Sequence, residues 1–365
     1  MQQTNTPIES KKRNSNLELM RVVLMLMIIA HHYVVNSGLT KLFDFNQITV
    51  NMVFLQFFGM TGKMGINAFL LITGYFMVDS DFKLYKWFRL WFEVIFYNII
   101  ISSFLFLGGY RFGIKNIIQS VLPMTYGVQT YFTGTFLYLF LLIPFLNILI
   151  KSLSKKQYKT LLCLLFFLYT IISTFAFHNT FSELGWYCTV YFIAAYLRHY
   201  PVRKLGNSFW GMIFIFSMMI TMVSILIVDY IGSRFGFYGY YHMINNAQKL
   251  FAVTGAVSMF MWFKDLKLKQ SKFINVVASA TFGVLCIHAN SDQMRQFLWR
   301  DIFKNTTFYT SSFLIIHAVF SVIVVYSICV VIELLRAKLI EKPFMQFLEK
   351  KGFQEKVLKL QTIIY

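Results

Sequence analysis

Two ionisable side chains, Arg21 and His32, lie inside the first long apolar stretch of this chain, LELMRVVLMLMIIAHHYVV from Leu17 to Val35. Roughly 20 predominantly apolar residues cross a hydrocarbon core, so the stretch reads as a transmembrane helix. At 100° and 1.5 Å per residue, eleven positions bring His32 back to within about 20° of Arg21, about 16 Å further along the same face. His31 points about 80° away from that stripe. One helix face therefore carries a permanent cation toward its start and an imidazole expected near mid-membrane. Ionisable groups at such depth are costly and characteristically face a polar cavity that marks a pathway or reaction site.

The remainder of the chain supports an all-α, polytopic membrane protein. Of 365 residues, 57% are hydrophobic and 13% charged, too few polar side chains to cover a soluble surface. Apolar runs recur at 17–36, 51–78, 88–108, 131–150, 160–177, 186–200, 208–229, 247–263, 273–289 and 311–335, which predicts about ten transmembrane helices. The broken run 113–126 is too short to span and reads as an interfacial or re-entrant piece. Three parts follow: a polar tail over 1–16, a transmembrane domain over 17–340 and a basic tail over 341–365.

Positive charge orients the bundle, because short cytoplasmic loops collect Lys and Arg. Basic clusters precede the first segment (Lys11, Lys12, Arg13) and follow each even-numbered one, from Lys83 and Lys86 to the tail after the tenth. Both termini are therefore expected in the cytoplasm. The net charge of +19 is spread over these loops, which argues against nucleic acid as partner and for anionic lipid headgroups. Cys163, Cys188, Cys286 and Cys329 all fall within apolar runs, as packing residues do, and form no extracellular disulfide framework. No signal-peptide cleavage pattern precedes the first helix.

Several segments together resemble a known family. Arg21, ten intervening residues and His32 are similar to the first-helix signature of the acyltransferase 3 family of integral membrane acyltransferases. Gly65-Ile66-Asn67-Ala68-Phe69-Leu70-Leu71-Ile72-Thr73-Gly74-Tyr75-Phe76 resembles its apolar run ending in Ser-Gly-Phe or Ser-Gly-Tyr, with Thr73 where Ser is usual. Lys86 and Arg89 match a basic pair, and Tyr131-Phe132 through Pro144 and Asn147 resemble its fourth helix. Thr281 to His288 is similar to a late segment ending in Ile-His, with Cys286 in place of the frequent Tyr. The resemblance implies a stand-alone bacterial enzyme that transfers an acyl group, most simply acetyl, from cytosolic acetyl-CoA to a hydroxyl of a cell-surface or lipid-linked glycan. The coenzyme A thioester is then a donor substrate, and no tightly bound cofactor or metal is expected.

The residues carry that chemistry on their own terms. Acyl transfer needs a base for the hydroxyl proton and a cation or donors for the developing oxyanion. His32 suits the first role, since a free imidazole titrates near about 6.5. Arg21 suits the second and can also grip donor phosphates, with Glu18 one turn earlier to orient it. Lys86 and Arg89 are further candidates for the donor, although the positive-inside rule accounts for at least half of their presence. Asn67, His288 and Asn290 are candidates for acceptor binding; Asn67 also suits an interhelical hydrogen bond, and His288 a structural one. Asp79-Ser80-Asp81 reads as a solvated helix end. The rival functions are a glycan or small-anion transporter, in which Arg21 and His32 line a conduit, and a lipid-phosphate-dependent glycosyltransferase, whose acidic pair and large outer loop are missing.

Overall fold

The structure is a computed structural model that describes residues 14–124, 132–176, 182–201, 205–236 and 238–365. Most of the N-terminal tail, Tyr131, and the basic pair Arg203 and Lys204 lie outside them. Among the described residues there are helices and no strands. The helices are α1 (Ser15–Val35), α2 (Val50–Gly59), α3 (Gly62–Met77), α4 (Leu84–Leu107), α5 (Ile114–Val121), α6 (Phe132–Ser152), α7 (Lys155–Phe166), α8 (Ile172–Phe175) and α9 (Glu183–His199). They continue as α10 (Asn207–Phe235), α11 (Leu250–Lys264), α12 (Lys272–Ser279), α13 (Thr281–His288), α14 (Asp292–Gln296), α15 (Leu314–Arg336), α16 (Lys342–Lys350) and α17 (Phe353–Ile364).

Seven helical spans among the described residues are long and apolar enough to cross a membrane, and an eighth arises if α12–α13 and the segment Asp292–Ile302 count as one broken span. The chain is thus a multi-pass membrane protein. The ten expected apolar segments all contain helices, but α9 and α11, with 17 and 15 residues, rise only about 25 and 22 Å. A hydrocarbon core is about 30 Å thick, so α9 stands at the short limit of a span and α11 below it. Residues 342–364, read from sequence as a basic tail, form the helical pair α16–α17; Gln361 at its end hydrogen-bonds to the Phe82 carbonyl and the Leu84 N–H ahead of α4.

α1 is the hub of the bundle and packs against α2, α3, α11, α12, α13 and α15. Asn14 caps its start by accepting from the Asn16 N–H at 3.0 Å. Its Leu17, Met20 and Leu24 are buried in the main core, whereas Arg21, Met25, Ile28 and His32, spaced four, three and four apart, line a cavity.

Two interruptions of helix lie beside the upper end of α1. The first separates α2 from α3 at Met60 and Thr61. The second follows α13, where the chain turns through 96° into α14. Irregular backbone at membrane depth persists only where it is buried in protein or lines a cavity. The first break closes on the His31 ring, whose Cγ would lie 2.3 Å from a Cβ built on Gly62. Gly62→Ala is therefore expected to destabilise the protein by about 1–3 kcal/mol through overpacking. Thermal unfolding in detergent checks this, with Gly206→Ala, where nothing lies within 4 Å of the added carbon, expected to match wild type.

Candidate active site

A carbonyl oxygen can only accept, and this fixes the protons of three histidines in turn. His288 Nδ1 lies 2.7 Å from the Val284 carbonyl one turn earlier on α13, so Nδ1 carries the proton. The Nε2 of the neutral ring is then an acceptor, and His32 Nδ1, 3.1 Å away, is its donor. That leaves the lone pair of His32 on Nε2. His31 is held likewise: its Nδ1 donates to the Gly59 carbonyl at 2.6 Å. Gly59 ends α2, so that carbonyl is one of the acceptors a helix terminus leaves without an intrahelical partner. His31 and His32 are half-buried and both line the cavity; His288 is fully buried and does not.

The cavity measures about 990 Å³. Arg21, Lys86 and Arg89 line it at the end where α1 and α4 begin, and Lys86 and Arg89 are exposed there. Arg21 is held by Glu18, with NH1 3.1 Å from Oε1. Arg89 pairs with Glu341. Beside it Glu93, Glu333 and Glu341 converge, their oxygens within 4.8 Å of one another. Arg336 supplies the counter-charge, bidentate to Glu333 at 2.8 Å and 2.5 Å from Glu341, while the Tyr97 hydroxyl donates to Glu333 at 2.6 Å. With two guanidinium groups among its carboxylates the cluster is an ion-pair network that walls the cavity.

A cavity-lining imidazole with Nε2 left unprotonated, and cations at the other end of the same cavity, form an arrangement with which group-transfer chemistry is compatible. The sequence profile of the acyltransferase 3 family, described as an acyltransferase domain, matches residues 14–334. The chain belongs to this family. No curated protein and no solved structure matches it significantly.

In this membrane acyltransferase the sequence-named residues divide into two groups. Arg21, His32, Lys86, Arg89 and Asn290 all line the cavity. Asn290 also reaches across it, donating to Asn98 Oδ1 on α4 at 2.9 Å. Asn67, the other candidate for acceptor contact, is not among the residues that line it. Both protons of its amide are used, on the Ala247 and Ala252 carbonyls at 2.6 and 3.2 Å, and its oxygen accepts from Trp186 Nε1 at 2.9 Å. It ties α3 to α9 and α11, as the alternative reading had it. His288 likewise is not among the lining residues; it touches His32, whose tautomer it fixes.

His32 sits in the last turn of α1. Arg21, about 16 Å lower on the helix, cannot both grip a donor there and reach an oxyanion at His32. Sequence reasoning passed over three charged cavity residues, Lys63, Glu183 and Arg295. Lys63 had a usable signal, an ammonium in the middle of an apolar run.

Asp79, outside the cavity, accepts from Arg198 Nε at 2.7 Å and pairs with His199 at 3.0 Å. The Arg198 hydrogen bond holds its carboxyl below the ordinary range. It clamps the ends of α3 and α9 together.

The tautomer chain predicts how His288 variants behave. His288→Leu leaves His32 Nδ1–H without an acceptor, and acyl transfer is expected to fall about 10²-fold or more, the scale of a positioned proton-transfer group. His288→Gln retains an acceptor oxygen and is expected to recover much of that loss. Single-turnover transfer rates measure both, and equal rates for Leu and Gln would remove the positioning role.

Proposed function

We propose that this acyltransferase moves an acyl group, acetyl in the simplest case, from a cytosolic coenzyme A thioester to a hydroxyl of a cell-surface or lipid-linked glycan. The observation that carries the reading is the single cavity that runs from Arg21, Lys86 and Arg89 to the unprotonated Nε2 of His32. Its stripe along α1, about 16 Å from Arg21 to His32, suits an extended donor chain with phosphates at one end and a thioester at the other. The cationic end faces the cytoplasm in the orientation that the basic loops favour, with both termini inside a bacterial plasma membrane.

In this mechanism the phosphates lie against Lys86, Arg21 and Arg89. Lys86 is the readiest of the three, because Glu18 and Glu341 already engage the arginines. His32 Nε2 takes the hydroxyl proton as the oxygen attacks the thioester carbonyl. The tetrahedral adduct expels the coenzyme A thiolate, which receives that proton back from the imidazolium. The products are an ester and a free thiol. Family membership favours this reading over the transporter and glycosyltransferase alternatives.

The surface glycan of cells with and without the protein should differ in O-acetyl content by mass spectrometry, and His32→Ala should reproduce the loss while still inserting. Unchanged O-acetylation without the protein would reject the acceptor assignment. Orientation is checked by single cysteines: Lys41 and Arg300 positions are expected to label from outside, and Lys155 and Leu268 positions only after permeabilisation.

Donor binding gives an independent measurement. Affinity of the purified protein for acetyl-CoA is expected to weaken with added salt and to drop in Lys86→Ala and Arg21→Ala, because screening acts on exposed charge pairs. Affinity that is indifferent to salt and to both substitutions would rule out a phosphate clamp.

A further inference from the structure

If His32 is the base, the carbonyl under attack lies beside its Nε2, and a group that stabilises the oxyanion must reach the same place. Hydrogen-bond donors act there only within about 3 Å of the oxygen. Arg21 lies too far down α1 to do so. Two other cations line the cavity and interact electrostatically with both His31 and His32: Lys63 and Arg295.

Each of the two is held in a costly state. Lys63 is the second residue of α3, directly after the Gly62 that packs on the His31 ring. A cation in the first turn of a helix is opposed by the helix dipole. Among the described residues its ammonium has no hydrogen bond or ion pair, and the attraction it feels comes from Glu183 on the cavity wall. Arg295 follows the 96° break that turns α14 away from α13. Its NH1 is fixed by Asp292 at 2.6 Å and its NH2 by the Ala289 carbonyl at 3.3 Å, while its Nε is buried without an acceptor. Buried donors are ordinarily satisfied, so an anchored guanidinium whose buried Nε–H meets no acceptor among the described residues is a donor open to a ligand.

We infer that Lys63 and Arg295 together hold the carbonyl oxygen of the acyl donor, as the oxyanion-stabilising pair of the transfer. The inference rests on the acyl-transfer reading above. As the acceptor oxygen bonds to the carbonyl carbon and its proton passes to His32 Nε2, the carbonyl π electrons move onto the oxygen between the Lys63 ammonium and Arg295 Nε–H. Collapse of the adduct restores the carbonyl and breaks the carbon–sulfur bond. Lys63 and Arg295 keep their protons throughout.

The test uses the full-length protein in membranes carrying its native acceptor, with radiolabelled acetyl-CoA at saturation. Lys63→Met is expected to lower kcat about 10²- to 10³-fold, the cost of one oxyanion donor, with acetyl-CoA affinity within about twofold of wild type. Lys63→Arg, which keeps the cation, is expected to stay within about tenfold of wild type, and it carries the test if Lys63→Met fails to insert. Arg295→Gln is expected to lose kcat in the same way. Wild-type kcat in Lys63→Met, a Lys63→Arg as inactive as a poorly inserted Met variant, or a loss seen only in donor affinity would overturn the assignment. Wild-type protein that transfers no label would overturn the acyl-transfer reading itself, so the two failures are separable.

Discussion

The hydrogen bond from His288 Nδ1 to the Val284 carbonyl is the interaction on which the site depends. It is local, one turn of α13, and requires nothing beyond helical geometry. It nevertheless decides which nitrogen of His32, on a helix 256 residues earlier in the chain, is free to accept a proton. Within a bilayer a polar group without a partner costs several kcal/mol, so each ring is held to the one tautomer that satisfies its neighbour. The breaks beside α1 serve the same end. Each exposes a carbonyl at a helix terminus, Gly59 for His31 and Ala289 for Arg295, and the side chains that satisfy those carbonyls are the ones facing the cavity.

The opposite end is stabilised by different physics. Glu93, Glu333 and Glu341 would repel one another strongly in a medium of low dielectric, and Arg336 among them converts the repulsion into a network of charge-assisted bonds. Removing one partner of such a network leaves an uncompensated buried charge, so the cluster is all or nothing. Gly283 is its structural counterpart: a Cβ there would lie 2.3 Å from Glu333 Oε2, so only glycine lets α13 and α15 approach closely enough for Glu333 to reach Arg336 and Tyr97. The same α13 carries His288 at its far end. One short helix therefore couples the ion-pair wall to the orientation of His32.

Much of this was legible in the sequence because hydropathy and helical period act locally. The stripe Arg21 to His32 follows from 100° per residue, and it lines the cavity as that arithmetic requires. What escaped depended on tertiary geometry. Asn67 sits in a family-like segment, and nothing in its neighbours along the chain reveals that Trp186 and two carbonyls from residues 180 and 185 positions away saturate it. Arg295 gives no signal along the chain, since the sharp turn that brings it into the cavity lining with His31 and His32 has no hydropathy signature. Helix burial escaped for a related reason: α9 and α11 are short for a span, and each is buried by packing against α3, a relation that composition does not encode.

These placements bear on whether the cavity is a reaction site or a conduit. Transport by alternating access requires one group of helices to rock against another around the bound substrate. Here α1, at the centre, is fastened at both ends. At its start Ser15 bonds to Asn275 at 3.0 Å, and near its finish Asn305 donates to the Tyr33 carbonyl at 3.0 Å while Tyr33 reaches His317 at 2.8 Å. Trp299 packs edge-on against the Tyr33 ring just beyond His32, with centroids 5.7 Å apart. A helix pinned in this way keeps His32 and Arg21 at a fixed separation on one wall. That suits a donor stretched between them and argues against a gate that must open first on one side and then on the other.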